Sequence, residues 1–133
     1  MNKNGKSLLI CTNGSRESAP AVEYGTWLAE ILGIPTILLG IVEHEKMRPA
    51  VDASLQDAAS ALMEHNLPYE ICLESGQALP VICRLADARQ HLVVAGPLGR
   101  QAWLRGRSFR RVMQEIPAPL IYVPALHKKW TKY

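Results

Sequence analysis

Apolar positions fall along this chain in two alternating rhythms. Ser7-Leu8-Leu9-Ile10-Cys11-Thr12 is a continuous apolar run, which suits a strand covered on both faces. Asn13-Gly14-Ser15 breaks it. Ser18 is placed to cap the helix that follows, with Pro20 in its first turn. Val22, Gly25, Ala29 and Leu32 then recur at helical spacing, and Gly33 stands where a helix stops. After Pro35, Thr36-Ile37-Leu38-Leu39-Gly40-Ile41-Val42 is a second buried strand. Residues 43–48 are polar and read as loop. From Pro49, Val51, Leu55, Ala58, Ala59 and Leu62 mark one face of a helix ending near His65-Asn66. Tyr69-Glu70-Ile71-Cys72-Leu73-Glu74 alternates apolar and polar, which predicts an edge strand. Ser75-Gly76 breaks the chain again. Leu79, Ile82, Cys83 and Ala86 mark a third helix, and residues 91–95 a fourth strand. Phe109, Val112, Met113 and Ile116 give a last helix, stopped by Pro117. Residues 120–123 form the fifth strand.

Strands alternating with helices predict an α/β fold: a parallel sheet, right-handed crossovers and helices on both faces. In such sheets ligands lie beyond the carboxyl ends of the strands, where the strand order reverses. If the first strand is central, that crevice falls between the ends of the first and fourth strands. Those ends carry Thr12-Asn13-Gly14-Ser15 and Gly96-Pro97-Leu98-Gly99. Gly96 and Gly99 let backbone N–H groups approach an anion, and the following helix start adds partial positive charge. Arg100, Arg105, Arg107, Arg110 and Arg111 crowd the same stretch around Gly106 and Ser108. Arginines in a first turn oppose the helix dipole, and a bound phosphate offsets that cost; the competing reading is that they turn into water.

The length, 133 residues, is that of one domain, here residues 1–125 with a basic, aromatic tail at 126–133. The net charge of +3 is too small a surplus to argue for nucleic acid. The longest apolar runs are too short for a membrane span, and residues 8–11 are too short for a signal-peptide core, so the expected location is the cytoplasm. The three cysteines are odd in number and lack CxxC spacing, as expected of buried reduced thiols. His44, His65 and His91 match no metal-ligand spacing, and Glu43 and Glu45 beside His44 read as a solvated loop. There is no Gly-x4-Gly-Lys-Ser/Thr, which excludes a P-loop NTPase. Asp52, Asp57 and Asp87 fall in helical patterns, not at the strand end a phospho-acceptor domain needs. Trp27 and Trp103 read as core or interface residues, with cover for a base as the alternative for Trp103 in the short glycine loop.

Several of these segments resemble the universal stress protein family. They are the first strand with Thr-Asn-Gly-Ser after it, Ile37-Leu38-Leu39-Gly40-Ile41-Val42, the Gly76 turn, Leu92-Val93-Val94-Ala95-Gly96, and Pro117-Ala118-Pro119-Leu120-Ile121-Tyr122-Val123. The resemblance implies a five-stranded parallel sheet of order 3-2-1-4-5 and a homodimer formed through the fifth strand, residues 120–123. One branch of the family binds ATP through Gly-x2-Gly-x9-Gly followed by Ser or Thr. Here Gly99 and Gly106 are separated by six residues, Arg107 stands where the hydroxyl residue would be, and Ser108 comes one position later. Asn13 replaces the acidic residue usual after the first strand, and Gly40 the histidine common in the second. Ile41 fills the position whose backbone faces adenine in ATP-binding relatives. Together with the arginine cluster, the resemblance implies a site of Thr12, Asn13, Ile41, Gly96, Gly99, Arg100, Gly106, Arg107 and Ser108, in which the arginines partly replace the missing loop. Its ligand would be ATP, another adenine nucleotide or a phosphate ligand, in a non-catalytic stress-adaptation protein. Two alternatives stand beside it. One is a weak nucleotide hydrolase, disfavoured because no carboxylate lies beside the glycine loop. The other is a ligand-free module docking an acidic partner through its arginines.

Overall fold

The structure, a computed structural model, describes residues 6–86, 91–98 and 114–125. In chain order these form β1 (Ser7–Thr12), α1 (Ala19–Leu32), β2 (Thr36–Val42), α2 (Arg48–Glu64), β3 (Tyr69–Ser75), α3 (Ala78–Leu85), β4 (His91–Ala95) and β5 (Leu120–Tyr122). Single 3-10 turns, Arg16–Ser18 and Glu45–Met47, lead into α1 and α2. The five strands are parallel, in the order β3-β2-β1-β4-β5.

Strand burial follows from that order. All six residues of β1, with β2 and β4 on either side, are buried. β3 ends the sheet and buries none of its seven residues, leaving Ile71 and Leu73 exposed. Side chains alternate across the sheet. Leu8, Ile10, Leu38, Val42 and Val94 point to one face, which α1 and α2 cover with Ala21, Val22, Ala29, Val51, Leu55 and Leu62. Leu9, Cys11, Leu39, Ile41, Val93 and Ala95 point to the other, which α3 covers with Ala78, Val81 and Ile82. Both helical layers of the expected fold are therefore present.

Two glycines set how closely helices approach the sheet. A Cβ on Gly25 would meet Ile10 Cδ1 at 2.8 Å, and one on Gly40 would meet Leu55 Cδ1 and Val51 Cγ1 at 2.7 Å. Gly40 thus stands in β2 because α2 packs directly on it.

Two local expectations are corrected. Ser18 makes no side-chain cap to α1; instead Ser15 Oγ accepts the Ser18 N–H at 3.2 Å and caps the 3-10 turn ahead of the helix. Leu32, assigned to the buried face of α1, is 48% exposed. It is the last residue of the helix, where α1 has run to its Gly33 stop. The last predicted helix lies mostly outside the described residues; Gln114 and Glu115 are helical and Ile116 is buried.

Candidate functional site

The carboxyl ends of β1, β2 and β4 lie side by side. Pairing of β1 with β2 stops at Thr12↔Gly40, while β2 continues through Ile41 and Val42. On the β1 side the end of β2 therefore stands clear of its neighbour. On the other side of β1, Gly96 follows β4 and abuts the approach to α1. A Cβ there would meet Val123 O at 2.9 Å, Ala21 Cβ at 3.3 Å and Glu17 O at 3.4 Å. The turns after β1 and β4 thus converge at one end of the sheet, at the point where the strand order reverses.

The β1 turn is built by its own side chains. Asn13 Oδ1 accepts the Ser15 N–H at 3.0 Å and the Ser15 hydroxyl at 2.6 Å, closing an Asx turn. The same carboxamide donates through Nδ2 to Glu43 Oε1 at 2.8 Å, bridging the ends of β1 and β2. Thr12 faces the helices. Its Oγ1 accepts the Gly14 N–H at 3.1 Å and lies 3.2 Å from Ser18 Oγ and 2.8 Å from Ser54 Oγ of α2. Because Ser18 donates its hydroxyl proton to Ser15 O, Thr12 donates to Ser18 and Ser54 donates to Thr12. One donor and two acceptors satisfy the threonine hydroxyl completely. Behind this turn a groove of about 410 Å³ opens between α1 and α2, lined by Gly14, Ser15, Ala19, Val22, Ala50 and Ser54 among others.

Solved structures of the same architecture have been determined. A universal stress protein in complex with cAMP superposes with a TM-score of 0.70 at 20% identity, covering 93% of this chain and all of that one. A universal stress protein family member from Burkholderia pseudomallei gives 0.65 at 13% identity, over 94% and 100% of the two chains. One from Arabidopsis thaliana, with AMP bound, gives 0.58 at 14%, over 93% and 94%. The chain has the universal stress protein fold. No family model matches the sequence, and no curated protein matches it significantly.

Within that fold the structure brings Thr12, Asn13, Ile41 and Gly96 to one end of the sheet. Gly99, Arg100, Gly106, Arg107 and Ser108 lie outside the described residues, as do Trp103 and the remaining arginines of that stretch. Of the four that are described, one offers a side chain to a ligand. The Thr12 hydroxyl is held internally, and the Ile41 side chain is buried in the α3-covered core, so both offer backbone. The missing side chain of Gly96 is accounted for by packing against Val123 and Ala21. Asn13 is the partly exposed polar group, and its partner Glu43 went unrecognised in the sequence. The two residues are thirty positions apart, and only the β1–β2 register brings them together. Glu45, grouped with Glu43 in the sequence, does something else. It takes both Nε and Nη2 of Arg48 at 3.0 Å, which holds its carboxyl below the usual range.

No group of three or more His, Cys, Asp or Glu side chains placed to hold a metal occurs among the described residues. Nor, among them, is any helix long and apolar enough to cross a membrane. Cys11 is fully buried, and burial pushes its thiol up to about 12. Cys72 and Cys83 are partly exposed, their thiols also raised, mainly by burial. A thiol reagent at pH 8 is therefore expected to label Cys72 and Cys83 slowly in the folded protein and Cys11 only in denaturant. Mass spectrometry of the labelled peptides checks this, and native labelling of Cys11 would contradict its core position.

Proposed function

We propose that the chain is a universal-stress-type protein: a non-catalytic stress-adaptation module that binds an adenine nucleotide at the convergent ends of β1, β2 and β4. The observation that carries this reading is the convergence itself. The β1 and β4 turns meet at the switch point of a 3-2-1-4-5 sheet, the place where open α/β sheets bind ligands. The cAMP and AMP bound to two proteins of the same fold support the choice of adenine nucleotide. In this reading the backbone at Ile41 meets the base. Gly96, Gly99 and Gly106 give the phosphates access to backbone N–H groups. Arg100, Arg107 and Ser108 supply charge and a hydroxyl where the loop is short.

Thermal unfolding of the purified chain at low salt tests it, with AMP, ADP, ATP and cAMP each present. A ligand near 100 times its Kd raises the unfolding midpoint by several degrees. No shift with any of the four ends the proposal.

We further propose that the working form is a cytoplasmic homodimer. β5 closes the sheet with three residues, and Leu120, Ile121 and Tyr122 are each partly exposed. An apolar edge of this kind invites a second copy. Light scattering after size exclusion should return twice the 14.7 kDa chain mass at micromolar concentration; a monomer would refute it.

A further inference from the structure

The Asn13–Glu43 bridge holds a carboxylate at the carboxyl ends of β1 and β2, and its chemistry is specific. Glu43 is partly buried, one residue past the end of β2. Its Oε1 is fixed by the Asn13 carboxamide at 2.8 Å. Asn13 is itself fixed by the Ser15 N–H and hydroxyl, so the carboxylate is held by a turn and does not swing freely. Oε2 has no hydrogen-bond partner among the described residues. A fixed carboxylate accepts hydrogen bonds and donates none, and it repels phosphate. It is therefore unsuited to the phosphate end of a nucleotide and suited to a neutral hydroxyl donor. Glu43 lies about 6–7 Å along the chain from Ile41, whose backbone meets the base in the proposed site. In dinucleotide-binding α/β sheets, an acidic side chain about 20 residues past the first glycine turn accepts a hydrogen bond from the ribose 2′-hydroxyl, which shows the chemistry a carboxylate in such a place can do.

We infer that Glu43, positioned by Asn13, accepts a hydrogen bond from the free 2′-hydroxyl of a bound ribonucleotide and makes the site selective for ribose over deoxyribose. This rests on the nucleotide reading above and adds the sugar to it. Asn13 orients the carboxylate, and Glu43 provides it.

Calorimetric titration of the full chain with AMP and with 2′-deoxy-AMP tests the inference. A hydrogen bond to a charged acceptor predicts AMP binding about tenfold tighter than its deoxy analogue. In Glu43→Ala the preference should disappear through loss of AMP affinity, with deoxy-AMP affinity nearly unchanged. Asn13→Ala should reduce the preference without abolishing deoxy-AMP binding, which separates a positioning role from general collapse of the site. Circular dichroism melts of both variants verify that they fold. Equal binding of the two nucleotides to the wild type, or an undiminished preference in Glu43→Ala, overturns the inference and leaves nucleotide binding standing. Failure of both nucleotides to bind overturns the inference, and failure of ADP, ATP and cAMP as well overturns the nucleotide reading with it.

Discussion

Replacing Gly14 with alanine is expected to cost about 3–5 kcal/mol of folding stability, among the larger effects a single methyl group produces. Two terms add. Gly14 has φ +79°, where an L-residue with a Cβ loses about 1–2 kcal/mol. The added Cβ would also lie 2.6 Å from Val51 N and 2.8 Å from Ala50 C. Both atoms are backbone in the first turn of α2, so no rotamer change relieves the contact; the helix itself must move off the sheet. Gly33 separates the terms. It too is left-handed, at φ +64°, but a Cβ there meets nothing within 4 Å. Gly33→Ala should therefore show the conformational cost alone, about 1–2 kcal/mol. Urea unfolding of the two variants checks the pair. Equal losses would mean that the β1 turn does not press on α2.

That contact marks the boundary of what the sequence reveals. β1 was legible because it is buried on both faces, which leaves an unbroken apolar run. β3 was legible as an edge because its alternation survives where one flank has no neighbour. Gly33 announced the end of α1 because left-handed geometry selects glycine. Each of these signals is local. Glu43 carried none, because its meaning depends on which residue stands across a parallel pairing thirty positions back in the chain. The start of α1 misled for a related reason. Ser15 and Ser18 are both capping residue types, and only the inserted 3-10 turn decides which one caps. In the candidate site, Thr12, Asn13 and Gly96 were legible as strand ends, and Ile41 came from the family resemblance. The roles of their side chains were not, because those depend on the face each residue takes.

Thr12→Val is the sharpest probe of how the site's floor is held, and it is expected to lose about 2–3 kcal/mol. Valine keeps the shape and the strand preference of threonine, so the sheet itself is spared. What disappears is a hydroxyl, on a side chain 2% exposed, that joins three segments: the Gly14 N–H of the turn, Ser18 before α1, and Ser54 of α2. Ser18 retains the Ser15 carbonyl as its acceptor, so the loss falls on the other two. The Gly14 N–H and the Ser54 hydroxyl are left partly buried without this partner, and desolvation without compensation is the costly case. Thr12→Ser keeps the hydroxyl and should lose under half as much, mainly the packing of one methyl group. The same variant reaches function through geometry. With the hub gone, the Asn13 turn is no longer tied to α2, so the carboxamide that holds Glu43 loosens. Thr12→Val should therefore weaken nucleotide binding as well as stability, whereas Ser54→Ala, which removes one partner only, should lower stability and leave binding near that of the wild type. Denaturant unfolding and calorimetry on the three variants decide it: if Thr12→Val binds as the wild type does, the hydroxyl hub serves the fold alone.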